Sequence, residues 1–297
     1  MYGEDVAALR GDMEVAGVRS WRSESTEPGV VRAIGLQGWI PQPRLQWRVP
    51  SGAVKIIVNF GAEPRILTDE PRWQAPRDVT AWIVGPTTRP ALSEWHGWQS
   101  CVCVSLTPLA AAAALGMPMS ELTDTIVDVR DVLGSDGRRL AERVAGAPPA
   151  ARVSLLQTLV ERRVRTAEPA DRWVAHTWES MLHAHGAARV TAIADDVGLS
   201  RRHFTRQFQR HVGTSPKRMS RILRSQHAMG LLHRGTGIAE TAQRCGFYGQ
   251  SHLDGDFREL TGRPPSALTP HVGTAFSMAA ARPDVSRSSK PSARAGS

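Results

Sequence analysis

Two segments between residues 188 and 270 repeat one another. Ala194-Asp-Asp-Val-Gly198-Leu199 is followed by Phe208-x-x-x-x-Gly213-x-x-Pro216, and 48 to 49 residues later Ala242-Gln-Arg-Cys-Gly246-Phe247 is followed by Phe257-x-x-x-x-Gly262-x-x-Pro265. Each copy reads as a short helix, a glycine turn and a second amphipathic helix, which is the helix-turn-helix pattern. The repeat restricts this stretch to a small all-α domain, and two such units in tandem point to a grip on DNA at two neighbouring places.

A chain of 297 residues has room for roughly two domains of ~100 to 200 residues. The longest apolar stretches, Leu109 to Leu115 and Ala53 to Phe60, fall well short of the ~20 residues that span a bilayer, so no membrane partner is expected. The start Met-Tyr-Gly-Glu-Asp lacks the basic and apolar regions of a signal peptide, and a cytoplasmic, nucleoid-associated location is expected. Cys101, Cys103 and Cys245 are too few and too badly spaced for a disulfide framework and are expected as free thiols.

The net charge of +9 is unevenly placed. Residues 1 to 187 carry 20 basic and 21 acidic side chains, residues 188 to 270 carry 13 and 6, and residues 271 to 297 carry 4 and 1, leaving −1, +7 and +3. Within the repeat, 188 to 224 holds 9 basic against 2 acidic residues and 225 to 270 holds 4 against 4. Basic patches draw phosphate and release counterions from DNA, so the first unit is expected to supply most of the affinity.

The rest of the chain divides by character. From about Val30 to Leu106 run short β-like stretches, Val30 to Ile34, Gly38 to Ile40, Ala53 to Phe60, Thr80 to Val84 and Gln99 to Leu106, with Pro41-Gln-Pro43 and Pro50-Ser-Gly52 among the gaps. After Pro108 four helical candidates follow: Leu109 to Leu115, Val132 to Val144, Ala150 to Val164 and Ala170 to His185. The expected fold class is α+β. A β-rich, cupin-like or barrel sensor occupies 21–108, a helical linker or dimerisation segment 109–185, the all-α domain with two helix-turn-helix units 188–270, and a disordered basic tail 271–297.

In the first unit Val190, Ile193, Ala194 and Val197 form one apolar side. Gly198 tolerates a left-handed turn, Leu199 plugs the corner, and Ser200 can cap the next helix. Phe204 and Phe208 face the core, leaving Arg201, Arg202, Thr205, Arg206 and Gln209 outward. Arginine can read guanine through two parallel hydrogen bonds, which singles out Arg202 and Arg206, and threonine can meet a thymine methyl. Lys217 and Arg218 are better placed for phosphates. Met219, Ile222, Leu223, Met229 and Leu232 give the next helix a buried stripe, and that helix would set the two recognition helices about 34 Å apart, one turn of DNA. In the second unit Ile238, Ala239, Ala242, Leu253 and Phe257 are expected inside, with Gln250, Ser251, Asp254 and Gly255 outside.

Residues 188 to 270 resemble the C-terminal DNA-binding domain of the AraC/XylS family of bacterial transcription regulators, most closely in Gly246-Phe-Tyr-Gly-Gln-Ser-His-Leu-Asp-Gly-Asp-Phe257 with Gly262 and Pro265 after it. The family's base contacts come from the middle of each recognition helix. The resemblance therefore implies Arg202, Thr205 and Arg206 in the first and Gln250 with Ser251 in the second. It also implies double-stranded promoter DNA and RNA polymerase as partners, and an N-terminal half that answers to a small-molecule or protein effector or forms a homodimer. Asp254-Gly255-Asp256 departs from the pattern, because the family has an arginine or other polar group there, and glycine loosens a helix by about 1 kcal/mol relative to alanine.

All nine tryptophans precede residue 179. Trp39, Trp82, Trp95 and Trp98 are candidates to wall an effector pocket, although Trp39 and Trp82 sit in strand-like runs that equally suit a core. His96 near Cys101 and Cys103 invites a metal reading, but two cysteines alternating in a strand are better explained as small buried residues; no metal or cofactor is expected. An alkyl-transfer repair enzyme would need a reactive, metal-bound cysteine cluster, and a β-barrel oxygenase two histidines beside a carboxylate, whereas His96 is the only histidine before residue 170. The chain is therefore expected not to be an enzyme. An architectural DNA binder whose first half merely dimerises is the other reading.

Overall fold

In the computed structural model of the chain, residues 13–15, 18–23, 25–68, 71–74, 80–188, 193–194 and 197–267 are described. The tail expected at 271–297 and Val190 of the first repeat lie outside them. The β half is one antiparallel sheet. Its strands are β1 (Met13–Val15), β2 (Val18–Ser23), β3 (Val30–Arg48), β4 (Val54–Asn59), β5 (Arg65–Leu67), β6 (Ala81–Val84), β7 (Ala91–Leu106) and β8 (Ile126–Asp128). They pair in the order β1-β2-β3-β7-β4-β6-β8, and β5 lies against β7.

Two stretches that read as separate strands, Val30 to Ile34 and Gly38 to Ile40, are parts of the single strand β3. Pro41-Gln-Pro43, expected as a gap, sits inside it at a register shift between Ile40 and Arg44. A bulge accommodates proline there because it leaves residues without a ladder partner. β8 lies in a stretch that reads as helical and pairs with β6; three residues are too few to show a period of two.

Both faces of β4, β6 and the last third of β7 are covered, which is why these stretches read as continuous apolar runs. Val54, Ile56 and Val58 face one way with Ala33, Ile83, Val102 and Val104. That layer is closed by α1 (Pro108–Leu115), α4 (Ser135–Gly146) and α5 (Arg152–Thr166). Two short helices, α2 (Met119–Leu122) and α3 (Val129–Leu133), complete the set. On the opposite face Ile34, Ile57, Trp82, Val84, Cys101 and Cys103 form a second cluster.

The helical half comprises α6 (Arg172–His183), α7 (Arg201–Val212), α8 (Pro216–His233), α9 (Ile238–Arg244) and α10 (Gln250–Thr261). Trp178 and Met181 of α6 join Phe208, Val212, Met219 and Ile222 in one core, and Ala228, Leu231, Ala242, Phe247, Leu253 and Phe257 make another. Ala239, expected inside, is exposed and Ile238 is half-buried; the short α9 packs through Thr241 and Ala242.

The halves meet along a polar and apolar joint. Thr123 Oγ1 donates to the Gly213 carbonyl at 2.6 Å, Gln226 Nε2 to the Pro50 carbonyl at 3.0 Å, and Arg218 Nη2 to the Thr88 carbonyl at 2.6 Å. The Arg263 guanidinium lies 5.5 Å from the Trp47 ring centroid. Gly213, the left-handed C-cap of α7 (φ 93°), is wedged into this joint: a β-carbon there would stand 2.7 Å from Thr123 Oγ1 and 2.9 Å from Pro86 Cγ. Gly116 has the same handedness (φ 67°) and open space around it. Gly116→Ala should therefore cost only the left-handed strain, about 1–2 kcal/mol, and Gly213→Ala clearly more. Urea melts of the two variants check this, and equal losses would mean that the joint is not packed as described.

Candidate functional site

The first helix-turn-helix presents a row of cations. Gly198 turns left-handed at φ 70°, Leu199 is half-buried, and Ser200 holds extended backbone while its hydroxyl accepts the His203 N–H at 3.3 Å. That cap fixes where α7 begins. Phe204 and Phe208 are fully buried, with the Trp173 ring 5.3 Å from Phe204. Anchoring that side forces Arg201, Arg202, Arg206, Gln209 and Arg210 into solvent and leaves Thr205 half-buried. None of Arg201, Arg202 and Arg206 is paired with a carboxylate among the described residues; Arg206 Nη2 reaches only His203 Nδ1, at 3.4 Å.

Lys217 and Arg218, expected as a phosphate-facing pair, part company. Lys217 is exposed, whereas Arg218 is half-buried and turned toward the Thr88 carbonyl. The reason is positional: Ser215 caps α8 by accepting the Arg218 N–H, and at that point the first turn of α8 already lies against the β half.

The second unit turns at Gly246, φ 70°, and exposes Gln250 and Ser251 at the start of α10. Tyr248, just before them, is 99% exposed, with the His252 ring 5.7 Å away. It was passed over in the sequence because a tyrosine beside a turn carries no period. Asp254 is half-buried, Gly255 and Arg258 are exposed, and Asp256 is buried at 8%. The carboxylates of this unit are largely committed elsewhere: Arg221 of α8 donates to Asp256 at 2.8 Å and to Glu259 at 2.6 Å, and Arg244 lies 3.5 Å from Glu240. The Arg221 guanidinium holds Glu259 below the usual carboxylate range, and Glu259 in turn raises Arg221. The Asp254-Gly255-Asp256 segment is thus half neutralised, Asp256 being paired with an arginine counted with the first unit.

In the β half, Trp82 and Trp95 line a cleft enclosing about 50 Å³, with Trp47, Arg48, Lys55 and Ser93. Trp39 and Trp98 do not line it. They are cross-strand partners on β3 and β7 and are 57% and 44% exposed; Gln37, two residues before Trp39, is exposed as well. Trp39 is therefore neither core nor cavity wall. Cys101 and Cys103 are buried, and burial raises both thiols; His96 is exposed, so the three are not brought together. Trp95 Nε1 donates to Ser93 Oγ at 2.9 Å and Ser93 Oγ to the Gln46 carbonyl at 3.0 Å, which fixes the wall.

Lys55 was missed in the sequence because it sits within an otherwise apolar strand. It is 8% exposed and flanked by the cation Arg48, and no carboxylate pairs with either among the described residues. Burial pushes its amine down to about 7, with Arg48 and Arg32 acting the same way.

Two family models match the chain: a helix-turn-helix domain over residues 193–270 and a domain of unknown function (DUF6597) over residues 29–128. The C-terminal repeat thus matches a helix-turn-helix domain. A probable thc operon regulatory protein from Rhodococcus erythropolis is 35% identical over 88 residues, covering 28% of this chain and 26% of that protein; the match spans about a quarter of the relative. Among solved structures, ToxT from Vibrio cholerae O395 aligns with 10% identity and a TM-score of 0.40 over 76% of this chain and 95% of its own. The AraC-like transcriptional activator CuxR aligns with 11% identity and a TM-score of 0.26 over 72% and 83%.

The depressed Lys55 amine makes stability depend on pH. The unfolded chain holds its lysine proton up to the ordinary value of 10.5 and the folded chain only to about 7, so stability rises as pH climbs between those limits and the full penalty applies below 7. Lys55→Met should stabilise the fold most at pH 6 to 7, by on the order of a few kcal/mol, seen as a raised melting temperature, with the gain shrinking toward pH 10. A gain that does not vary with pH, measured by thermal melts across this range, would refute the assignment.

Proposed function

We propose that the chain is a sequence-specific transcription regulator that binds promoter DNA through two unequal helix-turn-helix units and is controlled through its β half. The observation that carries this reading is the row Arg201, Arg202 and Arg206 exposed on the outer side of α7, with no carboxylate partner among the described residues. On a helix whose inner side is locked by Phe204 and Phe208, that row has one partner of matching charge and shape, the major groove and its phosphates. Arg202, Arg206 and Thr205 read base edges, while Ser200, Arg201 and Lys217 set the register on the backbone. Arg218 leaves this group and serves the joint between the halves. Gln250 and Ser251 read in the second unit, and Tyr248 and Arg258 join them at its face.

The chain acts at promoters, with RNA polymerase as its protein partner, and the β half binds an effector or forms a homodimer. It works in the cytoplasm on the nucleoid; no described helix is long and apolar enough to cross a membrane. No enzymatic role is assigned. Residues 21–108 are the sensor, 109–185 the connecting segment, and 188–270 the DNA-binding domain.

Genome-wide occupancy should return recurrent sites with two short elements about one helical turn apart. In gel shifts on such a site, Arg202→Ala and Arg206→Ala should each cost about 1–3 kcal/mol and relax specificity at one position, and Lys217→Ala should weaken all sequences alike and lower the salt slope by about 1. Gln250→Ala should cost less than either arginine. Scattered occupancy would favour an architectural binder, and a larger loss from Gln250→Ala would reverse the ranking of the units.

A further inference from the structure

We infer that the cleft in the β half is a binding site for a small organic acid, with its carboxylate held between Lys55 and Arg48 and its apolar body against Trp47, Trp82 and Trp95. The inference rests on reading the β half as a sensor and names the chemistry of what it senses. Lys55 is more than nine-tenths buried, lines the cleft, and has no carboxylate partner among the described residues. None of its neighbours in the cross-strand row is a carboxylate: Ser105 of β7 separates it from Arg32 of β3, and Val84 of β6 lies on its other side. Burying a cation without a counter-charge is costly. A second cation, Arg48, at the same cleft makes the field there uniformly positive.

The donors set the class of ligand. A point-like ammonium and a planar guanidinium suit a carboxylate, which accepts from the fork of one and the proton of the other. A volume of about 50 Å³ admits a head group of a few atoms, since a water needs about 10–15 Å³ on this scale. Three indoles, Trp47, Trp82 and Trp95, line the cleft, and such walls match an aryl or alkyl body better than a sugar or a second charge. Ser51 and Thr87 at the rim are bonded to each other's backbone, so their polar groups are not the ones left wanting.

The chain has three lysines, Lys55, Lys217 and Lys290, so its side-chain ammonium signals can be separated by carbon-13 labelling of lysine and identified with Lys55→Met. Full-length protein would be titrated with phenylacetate, with butyrate, and with phenylacetamide as the uncharged match, at constant ionic strength. The acids should shift the Lys55 signal, move its titration upward by about one pH unit or more, a tenfold preference for the charged amine, and raise the melting temperature; the amide should do none of these. Lys55→Met and Arg48→Gln should lose the thermal response. Equal effects of acid and amide, no movement of the Lys55 signal with either acid, or a thermal response kept in Lys55→Met would overturn the inference. Should that variant fail to fold, the wild-type titration decides alone. Gel shifts of the ligand-free chain separate the two readings: DNA binding without acid binding sinks only this site, and acid binding without DNA binding sinks only the regulator.

Discussion

The buried stripe of α8 is the constraint that everything else leans on. Met219, Ile222 and Leu223 complete the core of the first unit, and Ala228 and Leu231, one to two turns on, complete that of the second. The same helix sends Arg218 and Gln226 to carbonyls of the β half. A single 18-residue helix is therefore the spacer between the recognition helices and the strut that ties them to the sheet. Because packed interiors transmit displacement and do not absorb it, a shift of the β half at Pro50 or Thr88 reaches both units through one rigid element.

Charge follows the same scaffold. Counting residues along the chain makes the first unit strongly basic and the second neutral, but the fold redistributes the count. Arg221 belongs by position to the basic first half, yet it spends its charge on Asp256 and Glu259 of α10, while Arg218 points at the sheet. What remains for DNA in the first unit is concentrated on α7 and Lys217. The second unit keeps Arg258 in solvent and has two of its carboxylates turned toward α8. The inequality between the units stands, and it is smaller than the sequence alone suggests.

The tandem units were legible because each rests on short-range physics: a helical period fixed by Phe204 and Phe208 or Leu253 and Phe257, a left-handed glycine at 198 or 246, and a capping serine at 200. The α+β class was legible from the change in period after Pro108. What escaped depends on contacts distant in sequence. Trp39 looks like a core residue in its strand and is exposed because the packed layers of the sheet do not reach that end of β3. Ala239 fits the apolar side of α9 and is exposed because the helix leans on Thr241 and Ala242. Arg218 reads as a phosphate ligand until the carbonyl of Thr88, 130 residues away, is placed beside it. Lys55 carries no local signal of its role, since one lysine in an apolar strand becomes informative only when the surrounding charges are known.

The cleft and the joint share a wall. Ser51 and Thr87 exchange backbone hydrogen bonds at 3.0 and 2.8 Å, and both line the cleft. Their immediate neighbours Pro50 and Thr88 hold Gln226 and Arg218. One narrow tie thus has Lys55 and Arg48 on its inner side and α8 on its outer side. A ligand shifts an equilibrium only by the difference in its affinity for two states, typically 1–3 kcal/mol between coupled sites. Among the described residues three side-chain hydrogen bonds cross the joint, each contributing about 1 kcal/mol net, beside the Arg263–Trp47 contact and the packing at Gly213. The polar part of the joint is thus of the same size as such a coupling.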